Sequence, residues 1–202
     1  MKLKIEDLAI KKLGEDFAEG VEHGRRLYDL ACKIADEDYD DDALFAACLL
    51  HNISQKEPYE KKSALEAITF LRKARLDEKS LSIVADAIPN HLPEEKPQTY
   101  EGKLLHDAHI LDSVGCIGII RWAKEDYKDL PGRLASRLAL LRRSRSGQAG
   151  KKNDLDTLIK EVKEDIKDLP KYLILSTSKP IFRRRAAHAK RFLIDIKKEL
   201  NG

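Results

Sequence analysis

A chain of 202 residues, 42% hydrophobic and 36% charged, has a globular rather than a disordered composition and enough length to bury a sizeable core. Its formal net charge of +3 is too small to imply a polyanionic partner by itself. Cys32, Cys48 and Cys116 are odd in number and lack a CxxC pair, which argues against a disulfide framework or a cysteine zinc site and for a reducing compartment.

In chain order, the first helix is predicted over about 4–18 and the second over about 20–37, where Leu27, Leu30, Ala31 and Ile34 recur at helical spacing. Asp40 to Asp42 offer capping acids for a third helix, about 42–52, with Leu44, Ala47 and Cys48 on one stripe. A fourth covers about 61–75. A fifth starts near Asp77, packs through Leu81, Val84, Ala85 and Ile88, and stops around Pro89. After the loop Pro93 to Thr99, a single sixth helix is predicted over about 99–123. The segment 129–152, with Pro131, Gly132, Gly147 and Gly150, reads as a flexible connection or an inserted short helix. Two more helices follow, near 154–169 and 179–200. The last opens at Pro180 and carries a stripe of Phe182, Ala186, Ala189, Leu193, Ile196 and Leu200. The expectation is an all-α bundle of about 7–9 helices forming one domain over 1–202, with a core of about 20–125 and C-terminal helices of about 153–200 packed on it. The N-terminus lacks an apolar signal region, and no run approaches the ~18 apolar residues of a membrane span, so a cytoplasmic protein with no membrane partner is expected.

Titratable residues on apolar stripes call for an explanation, because burying charge or imidazole without a partner is costly. His23 extends the stripe of the second helix. His51 ends that of the third, four residues after Ala47. Asp107 falls between Leu104 and Leu111, with Val114 and Gly118 continuing its face. Each alone reads as a hydrogen-bonded core group. Together they make sense as ligands, since a divalent cation neutralises aspartate and takes neutral imidazole.

The order His23, then Leu49-Leu50-His51-Asn52-Ile53, then His106-Asp107-Ala108-His109-Ile110-Leu111-Asp112 resembles the HD superfamily of metal-dependent phosphohydrolases over roughly residues 20–200, closest to its small bacterial and archaeal branch. The resemblance implies an HD-domain-like bundle and a divalent metal ion, with Mn, Mg, Co, Ni, Fe and Zn not distinguished. It carries the ligand roles onto His23, His51 and Asp107. His91, in Ala87-Ile88-Pro89-Asn90-His91, matches a later family histidine near the phosphate or a second metal, and Arg26 matches a recurrent basic position. The implied activity is hydrolysis of a nucleotide or other small phosphate ester through a mononuclear metal-bound hydroxide. In that reading Asn52 is a weak fourth ligand or orients the metal's water, while Arg26, Lys56 and His91 offset phosphate charge.

Four positions depart from the family pattern: Asn52 stands for its namesake aspartate, Tyr59 for a histidine, and His109 and Ile110 for an aspartate and an arginine. At 100° per residue, His109 points about 200° away from Asp107, so both it and His106 read as surface or partner-facing, and Asp112 as a neighbour of the ligands at most. These departures support an alternative, an HD fold with impaired catalysis that serves as a binding or regulatory module. Two basic tracts bear on nucleic acid: Arg133, Arg137, Arg142, Arg143, Arg145, Lys151 and Lys152, then Lys179, Arg183, Arg184, Arg185, Lys190 and Arg191. Balancing acids elsewhere and scarce interleaved aromatics favour a solvated face over a nucleic-acid partner. His188 reads as partly exposed. The sequence leaves the oligomeric state open.

Overall fold

Side-chain oxygens set several helix starts. Asp40, Asp77 and Thr99 each accept the backbone N–H three residues on, from Ala43, Ser80 and Gly102. The computed structural model describes residues 1–126 and 154–201, apart from 55 and 57. Among them are nine α-helices and no strand: α1 (Lys2–Leu13), α2 (Val21–Ile34), α3 (Asp41–Leu50), α4 (Tyr59–Lys73), α5 (Glu78–Ala87), α6 (Tyr100–Asp112), α7 (Cys116–Asp126), α8 (Asp154–Asp168) and α9 (Ser178–Asn201). The expected all-α bundle is what the chain forms. The sequence expectation of a connection over 129–152 lies outside the described residues, as does the first basic tract.

The main core gathers Leu27, Leu44, Leu49, Leu50, Leu71, Ile88, Leu104, Leu105 and Leu111 from α2 through α6. Burial of this kind, at about 25 cal/mol per Å² of apolar surface, is the main term favouring the fold. A smaller cluster, Ile119, Ile159, Val162, Ala189 and Leu193, joins α7, α8 and α9. The α6 helix is central, packed against α2, α3, α5 and α9. It is buried almost all round: Leu104, Leu105, His106, Asp107, Ala108, Ile110, Leu111 and Asp112 are all inside.

Two glycines position the site. Gly24 lets α2 lie close on α3, since a Cβ there would come within 3.0 Å of Cys48 O and Leu49 Cα. That approach brings His23 beside His51. Gly115, at φ +92°, breaks what the sequence reads as one helix over 99–123. The break follows from a left-handed turn that periodicity does not register. Beyond it α7 runs from Cys116 on its own course, and Val114 and Gly118 do not continue the face of Asp107.

Candidate metal centre

Four histidines arrive from four places. His23 lies in the first turn of α2, His51 caps the C-terminus of α3, His91 follows α5, and His109 sits in the last turn of α6. Their rings meet edge to face: His23–His51 at 5.1 Å between centroids, His51–His91 at 4.9 Å, His91–His109 at 4.8 Å and His23–His109 at 5.7 Å. One nitrogen from each of His23, His51 and His109 lies within 4.8 Å of the other two.

Outward partners fix which nitrogens point lone pairs inward. His23 Nδ1–H donates to Asp112 Oδ2 at 2.8 Å, and His51 Nδ1–H to the Cys48 carbonyl at 2.9 Å, leaving Nε2 of each as the acceptor. His91 Nδ1–H donates to the Ile88 carbonyl at 2.6 Å. Among the described residues, His51 Nε2 and His109 Nδ1 are buried without a hydrogen-bond partner. Carboxylate or carbonyl behind an imidazole, and an inward lone pair in front, is the usual support of a metal-binding histidine. Burial holds the His23, His51, His91 and His109 imidazoles below the usual histidine range, and the crowding of His91, His23 and His51 adds to the effect at His109. The Asp112 contact offsets part of the shift at His23. Neutral imidazole is the form a cation binds.

Behind the histidines, Asp112 is fully buried and gathers three partners. It accepts from His23, from Arg26 through Nε and Nη2 at 3.1 Å each, and from Arg121 Nη1 at 3.3 Å. Burial alone would raise its carboxyl; the hydrogen bonds from His23 and Arg26 and the charge of Arg121 outweigh that and keep it well below the usual carboxylate range. Arg121 also donates through Nε to the Ala18 carbonyl at 3.0 Å and brings Nη2 to 3.4 Å from His23 Nε2 and 3.5 Å from Glu19 Oε1. Asn52 donates from Nδ2 to Glu19 Oε2 at 3.1 Å.

The structure thus brings together His23 and His51, with His91 beside them, and places Asn52 at the rim against Glu19. It does not bring Asp107. That carboxylate accepts the backbone N–H groups of Ile174 and Leu175, at 3.0 and 2.8 Å, and lies 3.0 Å from His106 Nδ1. Its work is to fasten the segment before α9 onto α6. The 200° between Asp107 and His109 is sound helix geometry applied from the wrong origin, because on a helix buried all round no single stripe marks the site. His109, read from sequence as outward-facing, is the residue of α6 that joins His23 and His51, and His106, read likewise, is fully buried. The spacing of His109 and Asp112, three apart and so on one face, is the signal that finds the correct side. Glu19 and Arg121 were also missed. Nothing local marks either, since each reaches the site through contacts remote in sequence.

Arg26, expected to face phosphate, has its guanidinium engaged bidentately by Asp112 and stacked 4.3 Å over the Phe17 ring. Lys56 is exposed, and its charge acts on Glu66. In the second basic tract, Arg185 donates to the Leu111 carbonyl at 2.9 Å and is half-buried, while Lys179, Arg183, Arg184, Lys190 and Arg191 are exposed, as is His188. Among the described residues the cysteines are free, and no helix is long and apolar enough to cross a membrane.

No family model and no curated protein matches this sequence. Solved structures do. An HD-superfamily hydrolase from Bacillus thuringiensis is similar over 100% of both chains, at 21% identity and a TM-score of 0.65. A predicted HD-superfamily hydrolase from an uncultured Thermotogales bacterium is similar over 98% of this chain and 92% of its own, at 19% identity and 0.64. Bacillus subtilis YpgQ, in complex with ADP, is similar over 100% of this chain and 99% of its own, at 18% identity and 0.64. At such identities the likeness speaks for the architecture: this chain has the fold of the HD-superfamily hydrolases.

Proposed function

We propose that the chain is a metal-dependent phosphohydrolase of the HD type acting on a nucleotide or other small phosphate ester, with His23, His51 and His109 holding one divalent cation. The observation that carries this reading is the convergence of three neutral imidazole nitrogens within 4.8 Å, two of the buried nitrogens lacking any partner among the described residues. Unsatisfied buried acceptors are costly, and a cation satisfies them. Nitrogen-rich donors suit Zn, Fe, Co or Ni better than Mg. The same fold in YpgQ, solved with ADP, supports a nucleotide as the substrate class.

A bound divalent ion would acidify water and offset charge on phosphoryl oxygens. The protein's own groups do the rest. Asp112 holds the Nδ1 proton of His23 and the Cys48 carbonyl that of His51, so both rings keep the same tautomer and orientation throughout. His91 has Nδ1 committed to Ile88 O, so Nε2 remains its acceptor beside the rings of His51 and His109. It is the group placed to take a proton or a hydrogen bond from water or substrate. Arg26 lends positive charge from behind His23 and Arg121 from beside His23 Nε2, against an anionic substrate. The one-domain organisation over 1–202 belongs to the same proposal.

One observation favours the second reading, a binding module without turnover: Asn52 stands beside His51 with its amide turned to Glu19. Phosphate release decides between them. The full chain loaded with Zn, Mn or Co should release phosphate from a panel of nucleotides and simple phosphate esters, and both a chelator and His51→Ala should abolish release. A metal-loaded, folded chain that releases phosphate from none of them would leave the binding module standing.

A further inference from the structure

Position 52 raises the question of where this site finds negative charge. The three convergent ligands are neutral, and a divalent cation among neutral donors alone binds less firmly than one with a carboxylate. Asp107 commits its oxygens to backbone N–H groups, and Asp112 stands behind His23. Glu19, in the turn four residues before His23, is a carboxylate whose charge acts on the His23 imidazole. Asp16 shapes that turn by accepting the backbone N–H groups of Ala18 and Glu19 at 2.8 and 3.1 Å.

Two contacts bear on what Glu19 does. Its Oε2 accepts from Asn52 Nδ2 at 3.1 Å. An ionised carboxylate only accepts, so a side chain at 52 must donate a hydrogen bond to hold it, as the Asn52 amide does, and an aspartate there would face it with like charge. Its Oε1 meets Arg121 Nη2 at 3.5 Å, and the same nitrogen lies 3.4 Å from His23 Nε2. One cationic nitrogen therefore sits between a carboxylate oxygen and the imidazole nitrogen proposed as a ligand. The guanidinium marks a place where this fold already favours positive charge between His23 and Glu19.

We propose that Glu19 is the anionic ligand of the site, and that Asn52 acts by positioning Glu19 rather than by binding the cation itself. The proposal rests on the metal-site reading above. The lone pair of His23 Nε2 can serve Arg121 or a cation, not both at once. When the cation takes it, Nη2 gives way while Nε and Nη1 keep their hold on Ala18 O and Asp112, and Glu19 Oε1 passes from guanidinium to metal. One positive partner replaces another, so Glu19 is neutralised in both states. Asn52 has no such exchange to make; its amide keeps Oε2 in place.

The test is a Co(II) titration of the full chain followed by visible absorption, which reads affinity and ligand set together without turnover. Glu19→Gln should weaken Co(II) about tenfold or more and shift the bands, while Glu19→Asp recovers part of the loss. Asn52→Ala should weaken Co(II) when Glu19 is present and have no further effect on Glu19→Gln, because its action passes through Glu19. Circular dichroism of each variant checks that the fold is retained. Unchanged affinity and bands in Glu19→Gln, with binding lost in His51→Ala, overturn the role of Glu19 and leave the histidine site intact. An Asn52→Ala effect that persists undiminished on Glu19→Gln overturns the positioning role. If the native chain takes up no Co(II), the site reading and this inference fall together.

Discussion

Asp107 and His109 lie two residues apart on α6 and serve different ends of the molecule. Asp107 holds Ile174 and Leu175 through their backbone N–H groups, whereas His109 meets His23 and His51. Substituting Asp107 by Asn turns one acceptor into a donor that faces a part-buried backbone N–H or the His106 ring. The cost should be about 2–3 kcal/mol, read from the urea midpoint, with metal uptake per folded chain unchanged. His109→Ala should do the reverse, abolishing uptake while the midpoint moves far less. Sequence alone made His23 legible because it interrupts an apolar stripe on an amphipathic helix, and His51 because it ends the apolar run of α3, which is buried from Ala43 to Leu50. Asp107 interrupts a stripe too, but α6 is buried on nearly every side, so position on it does not tell which neighbour is faced. The partnership of His23 with Asp112 spans 89 positions, and no local pattern encodes such a pair.

The start of α3 was legible from chemistry that acts within three residues, since Asp40 caps as its side chain suggests; Asp77 and Thr99 cap α5 and α6 in the same way. The division between α6 and α7 was not, since it depends on Gly115 adopting φ +92°, a choice glycine permits but does not announce. The division matters because Arg121 of α7 reaches back to Asp112, His23 and Glu19. A Cβ at Gly115 would lie 3.2 Å from that of Arg185 and force a strained φ. Gly115→Ala is therefore expected to cost about 1–3 kcal/mol in chemical denaturation. It should also weaken the hold of Arg121 on Asp112, visible as a change in the apparent affinity for Co(II). A stability equal to the parent's would show that α7 does not need the left-handed turn.

At the scale of the whole molecule, the fold collects four histidines, held neutral by burial, around one point. The sign of the pH effect follows. The unfolded chain binds protons at these residues below about pH 6.5 and the metal-free folded chain resists them, so stability falls as pH falls from 7 toward 5. Each such histidine contributes a slope of up to about 1.4 kcal/mol per pH unit. Asp112, shifted the other way from its own usual range near 4, adds its loss only at lower pH. Denaturant midpoints of the metal-free chain from pH 7 to 5 should fall steeply, and His51→Gln should flatten the curve. A midpoint level over that range would mean that the histidines protonate freely in the fold.

The proposed function rests on a single cation lying among His23, His51 and His109. The most direct measurement is anomalous diffraction at the zinc edge from crystals of the full chain grown with Zn(II). The account predicts one strong peak bonded to His23 Nε2, His51 Nε2 and a ring nitrogen of His109, with Asp107 still on the backbone of 174 and 175. A peak bound by Asp107, or no peak among the histidines at saturating zinc, would contradict it.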